Sequence, residues 1–218
     1  GYMNTAVGNN CADAITTGLS NVAIGQSALG ATTTGDNNTA VGTSALQENT
    51  TAENNTGIGR SALLANTTGT ANTAIGRLAL GANTTGTSNV AVGAYSLDAN
   101  TTASNNVAVG YDSLTNNTTG TRNVGLGKQT CRDTTTGTDN TAIGHDALKK
   151  NTTADDNTAV GAFALDANTT GAFNVAVGSK ALTNTTTSNG NTAIGYQTLN
   201  GTSGNNNTAV GRESLKNN

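Results

Sequence analysis

The sequence predicts an all-β chain, a parallel β-solenoid or β-roll of thirteen seventeen-residue coils. Three observations carry that prediction: a strict internal period, an alternation of small and β-branched residues inside each unit, and a composition that excludes an ordinary globular core. The period comes first. Counting the Asn of the NTAVG motif as position one, Asn recurs from Asn4, Asn21 and Asn38 through to Asn191 and Asn207, always seventeen residues apart until a final interval of sixteen. The Gly four residues later keeps the same step, from Gly8 and Gly25 to Gly195 and Gly211. Self-similarity at a fixed period is the mark of stacked supersecondary units, each too small to bury a core alone. The consensus is N-[TV]-A-[VI]-G-x-x-A-L-x-x-N-T-T-G-x-x.

The composition agrees. Among 218 residues, aromatics are 3% and charged residues 11%, with no Trp, no Pro and 28 Gly. Disordered chains of low hydrophobicity are usually rich in Pro and Lys and carry a high net charge. Here the net charge is −3, so the composition fits a regular fold with a thin core of small aliphatic residues. The ten Lys and Arg read as scattered, without the stripe or cluster that nucleic acid requires. No apolar run approaches the ~20 residues of a membrane-spanning helix, and no leader pattern opens the chain, so no membrane insertion is expected.

Within the unit, position two is always β-branched, Thr in eight copies and Val in five, and position four is always aliphatic, as in Val7, Ile24 and Ile58. Position three is only Ala or Gly. That alternation is the two-residue period of a short strand, with positions two and four sharing a face that is expected to be buried. Small residues at position three would then let another chain pack closely. Position nine is Leu in eleven copies, with Ala12 and Cys131 as substitutes, and position eight is small; together they read as a second short strand facing the first. The Gly at position five suits a corner. The NTTG segment reads as a turn, in which Asn bonds nearby backbone and Gly favours a left-handed conformation. Ala52, Ala103, Ala154 and Ser188 replace that Gly.

In-register stacking lines identical residues into columns at a spacing of ~4.8 Å, giving a rod about 60 Å long. The invariant Asn column is expected to pass amide hydrogen bonds from coil to coil, as stacked Asn side chains do elsewhere. Large buried side chains are few for a chain of this length, so a homo-oligomer is expected. Residues 1–218 read as a single array, and the lack of atypical terminal repeats suggests a piece of a longer fibre.

The NTAVG/NTAIG, AL and NTTG motifs resemble, across the whole chain, the YadA-like head repeats of trimeric autotransporter adhesins and similar repeats of phage tail-fibre proteins. The resemblance implies a left-handed parallel β-roll, a homotrimer, an extracellular place on a cell surface or a virion tail fibre, and attachment through a cell-surface receptor or glycan. The unit here is longer than the usual adhesin-head repeat, with the extra length in the NTTG turn.

Candidate chemistry is sparse. His145, the one His, stands at position six with Lys128 and Ala162 at the same place in adjacent coils, and reads as exposed and non-catalytic. No spacing of His, Cys, Asp and Glu suits a metal, no cofactor is expected, and no enzyme is predicted. Cys11 and Cys131 lie seven coils apart, roughly 34 Å at strand spacing, too far for a disulfide between them. N-T-T and N-N-T triplets match the glycosylation sequon, but turn chemistry explains them. The variable positions hold the candidate contact surface: Arg60, Arg77, Tyr95, Tyr111, Lys128, Phe163, Phe173 and Tyr196. A second reading is an ice-binding solenoid that uses its Thr columns. Against it, neighbouring Thr of a strand point to opposite faces, and Val90, Val107 and Val124 interrupt the Thr column at position two.

Overall fold

A computed structural model describes residues 1–201 and 204–216. Each coil supplies one three-residue strand at positions two to four. The chain divides into two compact units. Gly1–Asn106 carries β1 (Thr5–Val7), β2 (Val22–Ile24), β3 (Thr39–Val41), β4 (Thr56–Ile58), β5 (Thr73–Ile75) and β6 (Val90–Val92). Val107–Asn218 carries β7 (Val107–Val109), β8 (Val124–Leu126), β9 (Thr141–Ile143), β10 (Thr158–Val160), β11 (Val175–Val177), β12 (Thr192–Ile194) and β13 (Thr208–Val210). Inside each unit consecutive strands pair in parallel and in register, Thr56 with Thr73 and Ile58 with Ile75, for example. The predicted parallel β-solenoid is therefore the fold of each unit.

The faces of the strand are the reverse of the sequence reading. Position three points inward: Ala23, Ala40, Ala74 and Ala91 are fully buried. Positions two and four point outward, leaving Ile24, Ile58 and Ile75 between 37 and 40% exposed. A period of two is satisfied by either face, and here space decides. The interior holds Leu at position nine and a small residue at position eight, both fully buried as Leu63 and Ala62, and only a methyl fits between them and the strand. Gly57 shows how tight the fit is, since a Cβ built on it would lie 3.3 Å from the Leu46 side chain.

The expected second strand at positions eight and nine is also absent. Positions six to eleven form a run of turns with left-handed residues at seven and nine, as at Ser61 (φ 58°) and Leu63 (φ 52°). A left-handed L-residue costs about 1–2 kcal/mol, and burying each Leu offsets this by about 1.5–3 kcal/mol. The two reversals swing the Leu side chain back into the interior. The third left-handed site is position seventeen, as at Ala71 (φ 58°), not the Gly of NTTG. That Gly serves close approach instead, because a Cβ on Gly69 would run into the Gly86 carbonyl of the next coil. The column still tolerates a methyl, since Ala52, Ala103 and Ala154 occupy it and are buried. Position five needs Gly on both counts. Gly59 has φ 130°, and a Cβ there would lie 2.6 Å from the Gly76 carbonyl oxygen.

Backbone hydrogen bonds run between coils at nearly every turn of the chain. The Thr56 N–H donates to the Asn72 carbonyl (2.8 Å), Leu63 to Ala79 (3.0 Å) and Thr67 to Thr84 (2.9 Å). The Asn column behaves as expected and does more. Asn21 Oδ1 accepts from the Asn38 backbone N–H (2.9 Å) and from Asn38 Nδ2 (3.2 Å), while Asn21 Nδ2 reaches across its own coil to the Gly35 carbonyl (2.8 Å). Each Asn thus ties one coil to the next and closes its own coil.

Candidate functional site

Three surfaces are built by the repeat. The first is the outer face of the strand, where the aliphatic column of position four is flanked by Thr or Val of position two. The coil interior is filled without these side chains, and each unit covers them only in part. Val109, Val177 and Ile194 share the exposure of Ile58, and Val7 is more open.

The second surface is the ridge of positions six and seven, just past the strand. Seven of the eight candidate contact residues fall on it. In the first unit it brings together Arg60, Arg77 and Tyr95, with the Arg77 guanidinium 5.3 Å from the Tyr95 ring centroid. In the second unit it carries Tyr111, Lys128, Phe163 and Tyr196. There His145 meets Phe163 edge to face at 5.3 Å, and the Arg212 guanidinium lies 5.6 Å from the Tyr196 ring. Such stacking lets a cation and a ring share an exposed site at a gain of about 0.5–1 kcal/mol. Phe173 is separate: it stands at position seventeen, 64% exposed and left-handed (φ 60°).

The basic residues are not scattered once they are folded. All ten except Arg122 occupy positions six to eleven, on the turn side of the coil. In the second unit this produces a local ionic cluster. Lys149 Nζ lies 3.0 Å from Asp146 Oδ2, and His145 Nε2 lies 3.8 Å from Asp146 Oδ1, an oxygen that is buried and accepts no hydrogen bond. Arg132 forks onto Asp133 at 2.8 and 2.9 Å. Half-burial raises the Asp166 carboxyl above its ordinary range, partly opposed by Lys150. Across the coil, Arg122 binds both oxygens of Asp139 at 2.7 Å, holding that carboxyl below its ordinary range.

The third surface is the Thr pair of the NTTG turn. The first Thr spends its hydroxyl on the next coil, as Thr67 Oγ1 does on the Thr84 carbonyl (3.0 Å). The second, as at Thr68, Thr85 and Thr102, is exposed. The Asn before them is a second ladder that the sequence reading took only for a turn. Asn83 Nδ2 donates to Asn66 Oδ1 (2.8 Å) and to the Gly86 carbonyl (3.0 Å). Its signal was present as a second Asn column at the seventeen-residue step. Because Asn66, Asn83 and Asn100 are fully buried, their N-T-T sequons are closed to modification in the folded chain, whereas Asn184 of Asn184-Thr185-Thr186 is exposed.

Both cysteines are free. Cys131 replaces the core Leu and is fully buried, which pushes its thiol up to about 12. Cys11 is partly exposed and its Sγ donates to the Gly8 carbonyl (3.2 Å). Among the described residues no three His, Cys, Asp or Glu side chains converge as a metal site would require. No helix among them is long and apolar enough to cross a membrane. No family model, no curated protein and no solved structure matches the chain.

Proposed function

We propose that this chain is a structural segment of a fibrous attachment protein, a homotrimer related to YadA-like adhesin heads or phage tail fibres and displayed outside the cell. One observation carries the reading: an unbroken aliphatic column lies on the outside of each unit while the inside is filled by Ala and Leu. An outward column of Val and Ile, repeated coil after coil, is the kind of contiguous apolar surface that marks an interaction site. A second copy of the same chain presents the same column at the same spacing and is the natural cover. The position-six and position-seven residues beside that face, Arg60, Arg77 and Tyr95 in the first unit and Tyr111, Lys128, Phe163 and Tyr196 in the second, would meet the receptor or glycan. The fold's regularity suits repeated display of one surface, and no role in catalysis is proposed.

Sedimentation equilibrium at micromolar concentration tests the reading. We expect a trimer that dissociates when Ile58 and Ile75 are both changed to Lys, with the circular dichroism of the solenoid retained. A wild-type chain that sediments as a monomer would sink it. The exposed second Thr of each turn is the observation that favours ice binding. It offers one file of hydroxyls, since the first Thr is already bonded, and the attachment reading expects no thermal hysteresis.

A further inference from the structure

The two edges of the strand face carry opposite charge. The upstream edge is positions sixteen and seventeen, just before the strand, and the downstream edge is position six, just after it. Position six holds Arg60, Arg77, Lys128 and Arg212 and no acid, whereas position sixteen holds Asp36, Glu53 and Asp155 and no Lys or Arg; position seventeen adds Asp139 and Asp156, and its one base, Arg122, is bound to Asp139. The first unit shows the consequence most plainly. Glu53 and Arg60 flank the same strand, β4, one on each edge, and both are exposed. Neither side chain has an ion-pair partner among the described residues. By contrast Asp36 is already engaged, accepting from the Leu19 N–H at 2.7 Å.

We propose that these edges are the two halves of a head-to-tail contact between copies of this chain, with Arg60 of one copy against Glu53 of the next. This rests on the self-association proposed above and adds to it the direction and pairing of the contact. The geometry is that of rotation. Strands run across the stack, so copies arranged in a ring around an axis along the stack bring the downstream edge of one beside the upstream edge of its neighbour. The contact is heterologous and closes when the rotation closes. Glu53 and Arg60 flank one strand, so the two residues meet at the same height without any sliding of one copy along another. The aliphatic column supplies the buried centre of the interface, and the charges set partner and register at its rim, where complementary potentials act on specificity and rate of encounter.

The test uses four full-length chains: wild type, Arg60→Glu, Glu53→Arg, and the double exchange. Each is followed by sedimentation at low and high salt, with circular dichroism as the check on folding. Both positions are exposed, so all four are expected to fold. Either single reversal places like charges opposite one another in every contact of the ring and should weaken assembly on the order of tenfold at low salt. High salt should shrink that difference, because rim charges are screened. The double exchange should return to near the wild-type value. An oligomeric wild type whose assembly is unmoved by either single reversal overturns the pairing and leaves the aliphatic-face reading standing. A double exchange no better than the worse single also overturns it, while a monomeric wild type overturns both.

Discussion

Replacing Asn72 by Ala tests what holds one coil to the next. Asn72 is fully buried. Its Oδ1 accepts from the Asn89 backbone N–H (3.0 Å) and from Asn89 Nδ2 (3.1 Å), and its Nδ2 donates to the Gly86 carbonyl (2.8 Å). Two of the three partners keep a second bond after truncation. Asn89 Nδ2 still reaches the Ala103 carbonyl (2.9 Å), and the Gly86 carbonyl still accepts from Asn83 (3.0 Å). The Asn89 N–H keeps none, and it is left facing a cavity between two coils. One orphaned buried donor costs about 1–3 kcal/mol, and two further lost bonds add about 0.5–1.5 kcal/mol each, so Asn72→Ala should destabilise by about 2–6 kcal/mol. The control is Thr85→Ala, at an exposed position, expected within about 0.5 kcal/mol of wild type. Stacked repeats open locally, so a single global transition is not a safe readout. Native-state hydrogen exchange at the Asn89 amide reads the same loss residue by residue. If Asn72→Ala matched Thr85→Ala in denaturant and the Asn89 amide kept its protection, the ladder would not be what ties the coils.

Two further outcomes follow from burial. Under native conditions an alkylating reagent should modify Cys11 and spare Cys131, whose thiol sits in the interior and is pushed up to about 12; mass spectrometry of digests reads both, and Cys131 should react only with denaturant present. For Asp166, partial burial raises the folded carboxyl above its unfolded value. Its contribution is thus fully favourable below the unfolded value and is lost as pH rises through the folded one. Asp166→Asn should raise the Tm at pH 7, with the gain shrinking toward pH 3, and a gain that is flat across that range would refute the assignment.

The coil length, the strand position, the first Asn ladder and the need for Gly at position five were all legible in the sequence, because stacking converts each into a column with one role. What misled were features that a column does not distinguish. A Thr-Ala-Val strand alternates equally well with either face inside, and hydrophobicity alone favours burying the Val. The pair at positions eight and nine, Ala62-Leu63 for example, reads as strand by residue type, yet the chain adopts left-handed φ at Ser61 and Leu63. Propensity assigns such a conformation to Gly or Asn, so no local cue in Leu announces it. The charge on the edges of the strand face was hidden for another reason. Linear order disperses Arg60, Arg77, Lys128 and Arg212 over more than half the chain, and only numbering by position in the coil gives them the same place in their coils.

The inverted strand also bears on why position four is invariably Val, Ile or Leu. A side chain covered only in part within its own chain, as Ile58 is, gains less from being aliphatic than a buried one, and the sequence still excludes Thr, Ser and Lys there. The neighbouring outward position two shows that the face itself accepts Thr in eight copies. Position four never takes that option in thirteen, although about 37–41% of Ile58, Ile75 and Ile194 lies open. Exposed aliphatic residues scattered singly are ordinary; a full column of them is not. Under the self-association proposed above, the constraint on position four comes from a surface that repeats at the same interval and excludes water from successive coils. A second copy of this solenoid meets both conditions.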